Sequence, residues 1–159
     1  MADYPVALVA AEVPARVRKS LYPEIFAAKV GERIKQPLGD PFGLTVFGVN
    51  ITTLKPGAMS ALRHAHTCQD EFIYVLEGTP TLVTDAGETM LKPGMCAGFK
   101  CATGDAHHLL NRGDIDVVYL EVGDRTPGDA VTYPDDDLFV TKSSDGKSRT
   151  MTRKDGTPY

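Results

Sequence analysis

Two histidines, His64 and His66, stand two residues apart, and Glu71 follows after a gap of four. Side chains alternate along an extended strand, so the two imidazoles share one face. Four residues suit a turn that lays a strand opening at Glu71 alongside them. Two imidazoles and a carboxylate meeting at one point would ligate one divalent metal ion of the zinc, iron, manganese or nickel kind. A second stretch, Gly104-Asp105-Ala106-His107-His108-Leu109-Leu110-Asn111, carries the other two of the chain's four histidines. His107 and His108 are adjacent and must point to opposite faces, while Asn111 shares the face of His107. We therefore read His107 as a further ligand and give His108 an outside or packed, hydrogen-bonded place. A pair of strand histidines is weak evidence alone. Three of a scarce residue type and one carboxylate aimed at a single cavity are much harder to dismiss.

These side chains need strands to hold them, and from Leu44 onward the pattern supplies strands. Leu44–Leu54 is rich in β-branched and aromatic residues and ends at the turn Pro56-Gly57. Ser60–His66 alternates, with Leu62, His64 and His66 on one side. Glu71–Leu76 has almost no polar face. Gly78-Thr79-Pro80 turns into Thr81–Thr84, and Asp85-Ala86-Gly87 is a hairpin signal leading to Thr89–Lys92. Met95–Phe99, His107–Asn111 and Asp114–Glu121 follow the turn at Pro93-Gly94. Short strands with such closely spaced turns predict an all-β sandwich or barrel.

The flanks are less regular. Pro5–Val9 reads as a short strand, and Pro23 with Glu24 opens one or two helical turns. Arg16, Arg18 and Lys19 form a basic cluster, read as a solvated face. Leu38–Gly43 is a turn or loop. Beyond Gly123 the chain turns polar, and Lys142–Tyr159 reads as a surface tail with one hairpin across Asp145-Gly146. Asp135, Asp136 and Asp137 lack the spacing of a calcium loop and suit a solvated turn or a cap.

Bulk properties exclude several classes. The 159 residues are of single-domain length, 1–159, and 42% are hydrophobic, with 15 Gly, 11 Pro and no Trp. A net charge of -4 makes nucleic acid an unsuitable partner. No apolar run has the length of a membrane span, and Met1-Ala2-Asp3-Tyr4 lacks the basic start of a secretory signal. Cys68, Cys96 and Cys101 are too few and odd in number for a disulfide framework, so the expected setting is the reducing cytoplasm.

At the level of spacing, the chain resembles the cupin superfamily, and within it the small single-domain proteins with one conserved barrel. The family's first motif is matched by Gly57, His64, His66, Glu71 and Gly78, with six rather than five residues between Gly57 and His64. Its second motif is matched by Gly104, His107 and Asn111. The proline expected two residues before Gly104 is replaced by Ala102, and the stretch from Gly94 is two residues longer than the pattern. The resemblance implies a single antiparallel jelly-roll β-barrel over 44–122, with an irregular N-terminal arm (1–43) and a polar C-terminal extension (123–159). It also implies a metal held by His64, His66, Glu71 and His107. The fold serves many chemistries, so no substrate follows from it.

A metal with these four ligands keeps one or two positions open, which marks a catalytic or ligand-binding centre. The expected function is a metal-dependent isomerase, lyase or dioxygenase acting on a small oxygen-rich metabolite such as a sugar or carboxylate. The alternative is a non-catalytic small-molecule-binding or sensor protein. An enzyme needs an acid or base in the barrel, and Tyr74, Glu77, Tyr119 and Glu121 are the candidates, Glu121 sharing a face with Tyr119, Val117 and Ile115. Cys68 is read as a turn residue pointing away from the metal. Finally, Phe72, Tyr74 and Leu76 form an outward apolar stripe, which predicts a homodimer, an N-terminal segment lying over the stripe, or both through an exchanged strand.

Overall fold

The computed structural model describes residues 4–16, 20 and 22–159. Arg18 and Lys19 of the basic cluster lie outside the described residues, while Arg16 pairs with Asp40 at 3.0 Å. The ordered elements begin with α1 (Glu24–Val30), β1 (Arg33–Pro37), β2 (Phe47–Leu54), β3 (Ala65–His66) and β4 (Glu71–Glu77). There follow β5 (Thr81–Thr84), β6 (Gly87–Met90), β7 (Cys96–Phe99), β8 (His108–Leu110) and β9 (Val117–Asp124). The last three are β10 (Ala130–Tyr133), β11 (Leu138–Lys142) and β12 (Arg149–Thr152). Among the described residues, no helix is long and apolar enough to cross a membrane.

All named strand pairs are antiparallel. One face of the jelly roll is a five-stranded sheet, β1-β2-β9-β4-β7. The other face combines β12-β11-β10-β3 with β6-β5-β8, joined by single bridges at His64–His107 and Met59–Leu110. Alternation along β2 buries Asn50, Thr52 and Leu54, and along β4 it buries Ile73 and Val75. One core cluster gathers Leu54, Val75, Val117 and Tyr119. A second lies under α1, where Phe26 and Val30 meet Leu62, Val131, Tyr133, Leu138 and Val140.

Several expectations need correction. Pro5–Val9 is not a strand; Val6 is fully exposed and the chain continues into a short 3-10 turn at Ala10–Glu12. A strand needs a ladder partner, and this arm is held to β1 by side-chain bonds from Gln36 to the carbonyls of Ala11 and Val13 and by one backbone bond from Arg16 to Lys35 at 2.8 Å. Most of Ser60–His66 is irregular, although Leu62 and Ala65 are buried. The strand expected from Asp114 starts at Val117, because Asn111 donates to the Ile115 carbonyl and holds a turn there. Ile115 is consequently exposed and does not share the inward face of Val117, Tyr119 and Glu121. The 123–159 extension is polar by composition, yet β10 and β11 bury Val131, Tyr133, Leu138 and Val140. The expected hairpin across Asp145-Gly146 is present as β11–β12. Asp135–Asp137 form a turn, in which Asp135 pairs with Arg63 and Asp136 with Lys29.

Candidate metal centre and ligand cavity

Three imidazoles converge on one carboxylate oxygen. Oε2 of Glu71 lies 3.1 Å from Nε2 of His107 and 3.5 Å from Nε2 of both His64 and His66. Potential ligand atoms of His64, His66 and Glu71 all fall within 4.8 Å of one another. The backbone sets this up. His64 and His107 exchange N–H···O bonds across a bridge, at 3.1 and 2.8 Å, which brings their rings to 4.9 Å between centroids. Glu71 opens β4 opposite Phe99, and the Phe99 ring stacks flat on His107 at 3.5 Å.

The remaining ring nitrogens fix where the lone pairs point. His64 donates its Nδ1–H to the Leu62 carbonyl at 2.9 Å, and His66 donates its Nδ1–H to Asp129 at 2.6 Å. In the neutral rings both Nε2 atoms are then acceptors aimed at an acceptor, the Glu71 carboxylate. Acceptors face each other stably only with a proton or a metal cation between them. Burial pushes His107 below its ordinary value, only partly offset by hydrogen bonding to Glu71, so this ring favours its neutral form. Burial by itself would raise the Glu71 carboxyl. The surrounding imidazoles, His107 first and then His64 and His66, outweigh it and hold Glu71 well below the usual range. The donor set therefore fits a divalent cation in number, type and charge.

Asp129 is a part of the site that sequence reasoning missed. It is fully buried, accepts from the Thr67 and Cys68 backbone N–H groups, and pairs with Lys142 at 3.0 Å. Cys68 turns its sulfur toward Asp129 and the Pro127 carbonyl. His108 lies off the centre, with Nδ1 bonded to the Ala61 carbonyl. Ala102, which replaces the family's proline, adopts φ 60° and donates its N–H to the His66 carbonyl at 2.9 Å. Proline can do neither, so the departure from the motif builds the loop that braces His66.

A cavity of about 480 Å³ opens beside the four residues. Gly48 and Gly123, paired across β2 and β9, keep its floor clear. A Cβ at Gly48 would stand 3.2 Å from the Arg125 guanidinium, and one at Gly123 would stand 3.8 Å from Glu71. Of the acid/base candidates, Tyr119 and Glu121 line this cavity, whereas the Tyr74 and Glu77 side chains face outward. Glu121 accepts from Lys35, Asn50 and Thr52. The Tyr119 hydroxyl is buried with no hydrogen-bond partner among the described residues, and burial, with the Glu121 charge, pushes it well up. Cations outnumber acids on the walls, a feature whose one signal in sequence was alternation, as in Arg33-Ile34-Lys35.

Comparison with known proteins places this geometry. Residues 50–123 match the Cupin domain family. No curated protein sequence matches the chain. Among solved structures, a sugar phosphate isomerase of a cupin superfamily from Silicibacter pomeroyi is 41% identical over 96% of both chains, with a TM-score of 0.89. A proposed sugar phosphate isomerase from Acidithiobacillus ferrooxidans is 28% identical over 80% of both, with a TM-score of 0.72. The polyketide cyclase RemF from Streptomyces resistomycificus shares the fold at 22% identity, with a TM-score of 0.61 over 74% of this chain and 78% of that one. With the near full-length match at 41% identity and the motif residues meeting at one point, the chain belongs to the cupin superfamily.

Proposed function

We propose that His64, His66, Glu71 and His107 hold one divalent metal ion, of the zinc, iron, manganese or nickel kind, and that the chain is a metal-dependent isomerase of small, oxygen-rich, anionic metabolites of the sugar phosphate class. The observation that carries this reading is the convergence of three imidazole Nε2 atoms on Glu71 Oε2 at 3.1–3.5 Å in an open cavity. The sugar phosphate isomerase from Silicibacter pomeroyi, at 41% identity, supports the reaction class. A metal so held would polarise a carbonyl and an adjacent hydroxyl of the substrate.

The rest of the reaction falls to the chain's own groups. Aldose–ketose isomerisation moves a proton between neighbouring carbons and between two oxygens. Glu121 is the carboxylate placed for the carbon proton: it projects into the cavity from β9, one alternating position before the Gly123 that faces Glu71. Lys35, Asn50 and Thr52 fix its orientation. The decisive test incubates metal-loaded protein with aldose and ketose phosphates in deuterium oxide. Interconversion with deuterium entering at C1 of the ketose or C2 of the aldose, lost in Glu121→Gln while metal stays bound, is the expected result. Absence of both turnover and exchange across the phosphates tested would reject the reading.

The molecule is further proposed to be a homodimer. Phe72, Tyr74 and Leu76 each remain 40% exposed on β4, and the described segment around Ala11–Val13 runs by β1, the edge strand on the far side of β2 and β9. An apolar stripe left in water costs about 25 cal/mol for each Å². The three free thiols support a cytoplasmic setting.

A further inference from the structure

The charges on the cavity walls are not evenly compensated. Six cations line it against three acids, Glu71, Glu121 and Asp124. Arg16 and Arg125 both pair with Asp40, Lys35 pairs with Glu121, and Lys142 pairs with Asp129. Arg33 and Arg149 alone of the six have no carboxylate partner among the described residues. Arg33 is anchored through one N–H to the Ser60 carbonyl, which leaves the rest of its fork free. Arg149 stands opposite Lys142 across the β11–β12 ladder.

The two arginines occupy matching places. Arg33 lies on β1, the edge strand of the five-stranded sheet, and Arg149 lies on β12, the edge strand of the facing sheet. Both line the same cavity, as do Tyr22 and Tyr133, whose rings meet edge-on at 5.9 Å. Uncompensated guanidinium groups brought to one opening repel each other, so the fold alone gives no reason for the arrangement.

We infer that Arg33 and Arg149 form the subsite for the phosphate of a phosphate monoester, clamped between the two sheet edges while the sugar end reaches the histidine cluster. This rests on the isomerase reading and specifies which end of the substrate sits where. Two free guanidinium groups match the roughly two negative charges of a phosphate monoester near pH 7, whereas a carboxylate carries one. Each fork can donate two parallel N–H bonds to phosphate oxygens.

The test uses the full-length chain as purified, with inorganic phosphate, glucose 6-phosphate, glucose and glucuronate as probes in calorimetry and thermal melting. Phosphate and the phosphate ester should bind and raise the melting temperature. Arg33→Gln and Arg149→Gln should each weaken both about tenfold, and the double variant about a hundredfold, with metal content unchanged. Arg33→Lys, which keeps the charge and loses the fork, should fall between and shows that the loss is not misfolding. His64→Ala should abolish metal binding yet keep the phosphate-induced melting shift, because the clamp is separate from the metal centre. Loss of that shift in His64→Ala would put the anion on the metal and overturn the clamp while leaving the isomerase reading intact. Unchanged phosphate affinity in both arginine variants, or glucuronate bound as tightly as the ester, would also overturn it. A working clamp without isomerisation would instead reject the isomerase reading alone.

Discussion

Asp129 Oδ2 lies 2.6 Å from His66 Nδ1 although the two residues are 63 positions apart. The carboxylate is wholly buried and takes two further backbone N–H bonds, from Thr67 and Cys68. It thereby fixes both the ring plane of His66 and the tautomer that frees Nε2 toward Glu71. Asp129→Asn keeps the shape but loses the charge-assisted bond. We expect metal affinity to fall about tenfold to a hundredfold, and stability to fall by about 1–3 kcal/mol as Lys142, left with Gln69, loses its carboxylate partner. Competition with a chromophoric chelator and urea unfolding measure the two effects. Wild-type affinity in this variant would refute the positioning role.

The metal stoichiometry should follow the four converging residues. Elemental analysis should find one ion per chain in the wild type and none in His64→Ala/His107→Ala. His108→Ala should keep most of the metal, since its ring bonds the Ala61 carbonyl away from Glu71. Full occupancy in the double variant would overturn the assignment.

Chelation should leave the fold standing. Both core clusters are built from apolar residues that need no ion, such as Leu54, Val75 and Val117 in one and Leu62, Leu138 and Val140 in the other. The β-sheet circular dichroism should persist after metal removal, with a lower melting temperature from lost linkage alone. Cooperative unfolding at room temperature on chelation would make the site structural.

Acidification should destabilise the metal-free protein in two stages. Burial depresses His107 and His108 below their usual 6.5. The unfolded chain therefore takes up these protons first, and stability declines once the pH drops below that value. Glu71 and Asp129 are held below the ordinary carboxylate range, the former against its own burial by His107 and His64, the latter likewise by His66 and Lys142. Their contribution is present above the unfolded carboxylate range and disappears as the pH falls through their lowered values. Urea midpoints should hold above about pH 7, fall as the pH drops through the range just below 6.5, and fall again below about pH 4; a midpoint higher at pH 5 than at pH 7.5 would contradict this.

The outward stripe on β4 should mediate self-association. Phe72→Glu/Tyr74→Glu should convert a dimer to a monomer by light scattering at micromolar concentration, with metal content unchanged. A wild-type monomer mass under the same conditions would reject the dimer.

How much of this was legible in the sequence differs from residue to residue. The strands from Phe47 to Phe99 show as β-branched and aromatic runs between turn residues, and Thr81–Thr84 is bounded as read, because local sterics act within a few residues. His64, His66, Glu71 and His107 were named together because their spacings encode strand faces, and strand geometry carried them to one point. The contributions of Asp129, Arg33 and Arg149 were not legible. Asp129 and Arg149 sit in stretches that read as polar and Arg33 in the irregular N-terminal arm, and their surroundings come from partners over sixty residues away or across a cavity between two sheets. Local pattern is set by the period of a strand, whereas the pairing order β12-β11-β10-β3 is set by long-range packing. That packing delivered Asp129 to His66 and set two unpaired arginines on the walls of one cavity.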